Sequence, residues 1–300
     1  MKFCFLSTQA FSMPTLQALV RGGRHQITVC SLTPQQAAAA QVAGFDDYAP
    51  LCARLGVALH HPERFDLGAK ADTAFFDHQR FDAILALGWN RLLPRSVLEC
   101  TRYGAIGSHS SPHDLPFGRG RSPVVWAVAL GFARITSQLF RIDSGVDTGA
   151  VLARRVLPIG AQDSSQILYY KIAMSHAAMI EDALAALRDG RHLPPSSLPD
   201  LEFPKRGPAD AVIDWTQPAA RLHDLVRAVA PPFHGAFFRH GGTDHRLLEA
   251  RIWDGPPVTG ACGEVIAVFS DRAMIVTTGQ GALLCLTHDC HSARAGDILE

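Results

Sequence analysis

The run FDAILAL, Phe81 to Leu87, constrains this chain more than any other feature. It is almost continuously apolar, with no polar alternation, so as a strand it needs apolar cover on both faces. KFCFLS (Lys2–Ser7) and HQITVCSL (His25–Leu32) read the same way, and Val57–Leu59 is a shorter strand candidate. Between them, Pro14–Arg21 carries apolar residues at helical spacing and stops at Gly22-Gly23. The Ala-rich stretch Gln35–Leu55 reads as a helix broken near Gly44, and Asp72–Asp77 as a further helical segment. Strands alternating with helices in this order predict an α/β fold with a doubly wound, mostly parallel sheet. The alternation continues. Pro94–Cys100 is a short helix and Gly104–Ser108 a short strand, and Pro123–Leu130 is a helix with Pro in its first turn. Ile135–Ile142 and Val151–Leu157 form two arms around the Asp143–Gly149 loop, and Ser165–Arg188 is a long amphipathic helix.

Composition changes after residue 191. The segment 192–208 is Pro-rich and aperiodic, which reads as a linker between a domain at 1–191 and a second at 209–300. The second opens with a helix at Ala219–Ala230, stopped by Pro231-Pro232. Short β-rich runs (GAFF, RLLEARIW, GEVIAVF, AMIVTT, ALLCLT) follow between turn residues, as in a small barrel or sandwich. Lys plus Arg and Asp plus Glu are 28 each, so a strongly basic nucleic-acid surface is not expected. Fourteen His make the charge sensitive to pH near neutrality. The opening MKFCFLSTQAFSMPTLQALV is broken by polar residues and Pro14, which makes a poor signal peptide, and no apolar run is long enough to span a bilayer. Seven scattered Cys, an odd number, suit reduced thiols in the cytoplasm.

Two polar segments could carry chemistry: GAIGSHSSPHDLPFGRGRSPVVWAV, then RIDSGVDTGAVL. A His just past a strand would lie at the carboxyl edge of the sheet, where such folds bind ligands. Asp143 and Asp147 sit on the Gly-rich loop, and a carboxylate beside an imidazole is the usual pair for moving a proton in acyl transfer. GRGR at 118–121 does not follow a strand within a βαβ unit and is no dinucleotide fingerprint. In CLTHDCH, residue types at Cys285, His288, Cys290 and His291 suit zinc, but the spacing matches no common structural pattern. Alternation would also put Cys285 and His288 on opposite faces. No metal is expected.

The ordered set of segments resembles the formyltransferases that use N10-formyltetrahydrofolate, the group holding methionyl-tRNA formyltransferase and the nucleotide-sugar N-formyltransferases. The resemblance is carried by FLSTQAFSMPTLQAL, LGWNRLLPRSVL, IGSHSSPHDLPFGRGRSPVVWAV and DSGVDTGAVL, and past the linker by IDWTQPAARLHDLVRAVAPPFHGAFF. It implies a Rossmann-like catalytic domain and a smaller OB-like barrel. It places His109 and Asp147 at the family's catalytic His and Asp, while the family's Asn, two positions before the His, is Gly107 here. Loss of one oxyanion donor typically costs about 2.7–4 kcal/mol, so Gly107's own N–H, Ser108, Ser110 or His113 would have to substitute. The implied folate site comprises Leu87, Gly88, Trp89, Asn90, Leu92 and Leu93 with Ile142, Asp143, Ser144 and Gly145. Arg119 and Arg121 could meet a phosphate or carboxylate on the acceptor. The function expected is formyl transfer from N10-formyltetrahydrofolate to a small-molecule amine, a nucleotide-linked amino sugar first. Methionyl-tRNA as acceptor, a different acyl donor, formyl hydrolysis and ligand binding without catalysis stay open, as does a homodimer.

Overall fold

The computed structural model describes residues 1–42 and 44–300. Contacts divide the chain into two compact units that are not sequential. One comprises 1–119, 136–157 and 170–201; the other comprises 120–135, 158–169 and 202–300.

The first unit holds a seven-stranded sheet. Its strands are β1 (Lys2–Leu6), β2 (Gln26–Cys30), β3 (Ala58–His60), β4 (Ala83–Ala86), β5 (Ala105–Ser111), β7 (Arg134–Arg141) and β8 (Val151–Pro158). They lie in the order β3-β2-β1-β4-β5-β7-β8. The first five pair in parallel and β5–β7 is antiparallel. The continuous apolar runs are explained by cover on both faces. Phe3, Phe5, Val29, Leu85 and Ile106 pack with Leu16 and Leu19 of α1 (Met13–Gly22) and with Met179, Ile180, Ala183 and Leu184 of α7 (Ser165–Asp189). Cys4, Leu6, Cys30, Ile84, Ala86 and Ala105 face the other way. There they meet Ala37 of α2 (Pro34–Ala39), Phe76 of α4 (Lys70–Gln79) and Val97 of α5 (Arg95–Glu99).

Two expectations need correction here. The Ala-rich stretch is two short helices, α2 and α3 (Ala49–Leu55), rather than one broken helix. Thr33 caps α2: its Oγ1 accepts the Gln36 N–H at 3.2 Å, and Gln36 Oε1 accepts the Thr33 N–H at 2.8 Å. Ala43, inside that stretch, lies outside the described residues. The second correction concerns β5, which continues through the polar residues SHSS to Ser111 because β7 supplies ladder partners from Ser108↔Leu139 to Ser111↔Thr136. Pairing with β4 ends at Ala86↔Gly107. His109 therefore lies inside a strand, yet two residues beyond the end of its parallel neighbour.

The second unit contains α6 (Pro123–Ala129), α8 (Ala219–Ala228) and a five-stranded antiparallel sheet. The sheet runs β10 (Ala236–His240), β11 (Thr243–Ile252), β14 (Ala282–His288), β13 (Met274–Thr277), β12 (Val265–Val268). Its outer strands are bridged by the C-terminal residues. Asp297 O accepts the Val265 N–H at 2.9 Å, and Glu300 exchanges two backbone bonds with Arg239 at 2.7 and 2.8 Å. Phe238 lies in the core of this unit, while Phe233 and Phe237 are half-buried. β6 (Phe117–Gly120) and β9 (Leu201–Phe203) form a separate two-stranded ladder that the sequence reading did not anticipate.

The Pro-rich segment is anchored despite lacking periodicity. Leu193 and Ser196 donate their N–H groups to Val151 O and Leu115 O within the first unit. Within the second, Trp126 stacks on Phe203 and donates its Nε1–H to Pro204 O at 2.9 Å. Among the described residues, no helix is long and apolar enough to cross a membrane.

Candidate active site

Alternation along β5 puts Gly107, His109 and Ser111 on the sheet face of Ala105. The His109 ring, only 8% exposed, has two acceptors as neighbours. Its Nε2 lies 2.7 Å from the Gly118 carbonyl and its Nδ1 3.3 Å from Asp147 Oδ2. A carbonyl oxygen only accepts, so Nε2 carries a proton, assigned here from the bonding pattern. Nδ1 then faces a carboxylate, and the contact is favourable when a second proton lies between them. Such a pair can hold a proton.

The loop that delivers Asp147 is shaped by its own residues. Asp143 Oδ1 accepts the Gly145 N–H at 3.0 Å and the Thr148 hydroxyl at 2.6 Å, closing an Asx turn. At Gly149 a Cβ would lie 1.6 Å from the Arg141 carbonyl oxygen, so only glycine lets the chain fold back there. Asp147 itself holds φ +53, the left-handed region that Asp tolerates better than most residues but which is still strained. β7 runs antiparallel to β5 and ends with Arg141 beside Ile106, so this loop folds back over the face bearing Gly107 and His109.

Gly107 is filled in from across the ladder. A Cβ there would lie 2.8 Å from Phe140 Cζ and 3.1 Å from Ile142 Cγ1. The Phe140 ring, 6% exposed, occupies the space into which a side chain at 107 would project. The Ile142 N–H bonds to Ala105 O at 2.8 Å, so antiparallel alternation makes Gly107 and Phe140 the next hydrogen-bonded pair. The Gly107 N–H is thus committed to the ladder. Ser108 and Ser110 point to the opposite face from His109, which corrects their expected role as stand-ins for a side-chain amide. The His113 ring lies edge-on to Phe117 at 4.9 Å.

One important residue escaped the sequence reading. Gln138, directly opposite His109 in the ladder, is fully buried. Its Oε1 accepts the Leu115 N–H at 2.9 Å, and its Nε2 lies 3.5 Å from Ser111 Oγ and 3.4 Å from His113 O. It holds the segment leading to Gly118, hence the orientation of His109. The available signal was a lone amide within the strand ITSQLFRI.

The two arginines are placed differently from each other. Arg119 forms a bidentate pair with Asp200, at 2.9 and 2.6 Å, and donates to the Val146 carbonyl at 3.1 Å. Its guanidinium braces the Asp147 loop and is not offered to a ligand phosphate. Arg121 is exposed and belongs to the second unit.

The stretch after β4 mixes structural and open residues. Leu87 is buried and its carbonyl accepts from Ser12 Oγ at 2.7 Å. Gly88 O accepts the Thr8 N–H and hydroxyl at 3.3 and 3.2 Å. Trp89 is core, its ring edge-on to Phe65 at 4.8 Å, but its buried Nε1–H has no partner among the described residues. Asn90 and Leu92 are exposed, and Leu93 is half-buried. In the second loop Ile142 and Gly145 are half-buried, while Asp143, Ser144 and the apolar Val146 are exposed, the Asp143 carboxylate being held by Thr148.

Two stretches of the chain match known families. Residues 2–184 match the formyl transferase model and 206–296 the formyl transferase C-terminal domain model. The chain belongs to the formyl transferase family. Methionyl-tRNA formyltransferase of Solibacter usitatus (strain Ellin6076) is 30% identical over 287 residues, covering 94% of this chain and 89% of that protein. Its counterpart in Anaeromyxobacter dehalogenans (strain 2CP-1 / ATCC BAA-258) is 31% identical over 291 residues, covering 96% and 91%. Among solved structures, the fold is similar to the Helicobacter canadensis N-formyltransferase in complex with folinic acid and dTDP-3-aminofucose. That match has TM-score 0.66 and 12% identity, covering 96% of this chain and 100% of that one. It is also similar to Aquifex aeolicus HypX in complex with tetrahydrofolic acid (TM-score 0.64, 20% identity). The match covers 95% of this chain, which spans only 43% of HypX. These structural likenesses concern the fold. The activity class, a formyltransferase, follows from the family.

Proposed function

We propose that this formyltransferase moves the formyl group of N10-formyltetrahydrofolate to the amine of a small acceptor, with a nucleotide-linked amino sugar as the leading class. The observation that carries the reading is the His109–Asp147 pair, with Nδ1 3.3 Å from the carboxylate and Nε2 pinned by the Gly118 carbonyl. The loops after β4 and β7 would hold the pterin: they carry uncovered apolar side chains, Leu92 at 65% and Val146 at 51% exposure.

In the proposed step the acceptor nitrogen bonds to the formyl carbon as the bond from that carbon to N10 breaks. The amine proton passes to Asp147 and then to N10, so no net proton is taken up. A doubly protonated His109 would supply the positive field that a side-chain amide at position 107 would otherwise provide. Gln138 and Arg119 act by positioning: the first fixes the segment carrying Gly118, the second the loop carrying Asp147.

A small acceptor is favoured by the charge of the second domain. Residues 209–300 contain seven Arg and no Lys against eleven Asp and Glu. Phosphate-backbone binding draws on the reverse balance. The second reading, Met-tRNA, is favoured by the curated relatives, which are methionyl-tRNA formyltransferases across nearly the whole chain. Incubating the protein with N10-formyltetrahydrofolate and a panel of amino-sugar nucleotides and charged initiator tRNA separates them. A gain of one formyl group on a sugar amine supports the first reading. Formylation of the tRNA alone replaces it with the second, and retention of the folate without any transfer reduces the chain to a binding protein.

A further inference from the structure

Three metal-binding side chains converge in the second unit, well away in sequence from the proton-holding pair. His240 ends β10, His245 lies on the adjoining β11, and Cys290 follows β14. One ligand atom from each lies within 4.8 Å of the others. We propose that His240, His245 and Cys290 form a binding site for a divalent transition-metal ion of the zinc type, with water or the Ser292 hydroxyl completing the coordination.

The geometry suits that ion at its best-defined edge. Zinc–sulfur and zinc–nitrogen bonds of about 2.3 and 2.0–2.1 Å at a tetrahedral angle put sulfur and nitrogen about 3.5 Å apart. Cys290 Sγ and His240 Nδ1 are 3.6 Å apart. Cys290 is 2% exposed, and both imidazoles are largely covered, each with a side-chain exposure of 15%.

The surroundings point the same way. His240 Nε2 lies 3.0 Å from Asp297 Oδ2. A carboxylate accepts, so Nε2 bears the proton and Nδ1 presents its lone pair toward Cys290 and Ser292, whose Oγ is 3.3 Å away. His245 Nδ1 lies 3.5 Å from Asp289 Oδ1. Both carboxylates are themselves held: Asp297 by the Arg294 N–H at 2.8 Å, Asp289 by the Arg246 N–H and Nε at 2.7 and 3.0 Å. A carboxylate behind a ligating imidazole orients the ring and raises its basicity. The ligands come from a hairpin, the end of β14 and, through Asp297, the C-terminal residues that bridge the outer strands. A bound ion would pin that seam. The sequence reading considered CLTHDCH alone, where His288 is instead bonded to the Arg272 carbonyl at 2.8 Å and Cys285 is buried in β14. The partners of Cys290 are two histidines of the adjoining β10–β11 hairpin.

The test is cobalt titration of the tag-free full chain under reducing conditions, followed by zinc competition. We expect one equivalent of cobalt with a thiolate-to-cobalt charge-transfer band in the near ultraviolet, removed by zinc. The band should survive C262S, which removes the exposed thiol, and H288Q. It should vanish in C290S, and D297N should weaken affinity about 10–100-fold. Far-ultraviolet circular dichroism of C290S establishes that loss of the band is not loss of fold. If C290S proves unfolded, H240Q and H245Q are read instead, each expected to lose at least about tenfold in affinity. No band at stoichiometric cobalt, or a band that follows Cys262, overturns the site.

Discussion

At the scale of single residues, the proposed chemistry turns on what surrounds one imidazole. Asp147→Asn keeps the loop's shape but removes the proton acceptor beside Nδ1. Formyl transfer should fall about 100- to 10,000-fold, with unfolding stability little changed. Equal turnover in wild type and variant, followed by product mass, would remove Asp147 from the mechanism. The neighbouring glycine makes a sharper test. Because Phe140 fills the space beside Gly107, Gly107→Asn alone should overpack the strand and cost about 1–3 kcal/mol without raising the rate. Phe140→Ala opens a cavity, and the double variant should recover stability relative to the sum of the two singles. The measurement is a double-mutant cycle in urea. Additive costs would mean that the two positions do not share space.

At the scale of elements, α7 carries a buried titration. His176 is 1% exposed, and among the described residues neither ring nitrogen has a partner. Burial pushes its pKa down to about 4, against an ordinary value near 6.5. Below about pH 6.5 the unfolded chain takes up a proton that the folded chain refuses. The stability associated with a neutral His176 is complete above that pH and is lost progressively as pH falls toward 4, by about 3 kcal/mol in all. His176→Leu should flatten this part of the stability profile, read as urea midpoints at several pH values. An unchanged slope would refute it. Reading β5 as ending at Ser108 shows a general limit. SHSS has no strand pattern of its own, and only the antiparallel ladder offered by β7 extends it to Ser111. The central strands were legible because burial on both faces writes itself as an unbroken apolar run. The extension was not, because its partner lies in a distant part of the chain.

At the scale of the whole molecule, the C-terminal residues decide whether the second sheet is left with open outer strands. Truncation after Ala295 removes the bonds from Asp297 and Glu300 to Val265 and Arg239. We expect a loss of about 1–3 kcal/mol, detected as a lower midpoint for the transition that exposes Trp215 of this unit. An unaltered midpoint would mean that the seam contributes nothing.

Local patterning was enough to reveal the α/β class, the mostly parallel sheet, the later antiparallel sheet and the family, since these depend on the order and periodicity of apolar runs and on motifs a few residues long. Tertiary structure alone decided the rest: that Phe140 fills the space at Gly107, that Asp200 neutralises Arg119, that Gln138 sits opposite His109, and that Cys290 meets two histidines from another hairpin. Each is a contact between residues far apart in the chain. Strand register and loop closure set such distances, and the spacing of letters along a sequence does not record them.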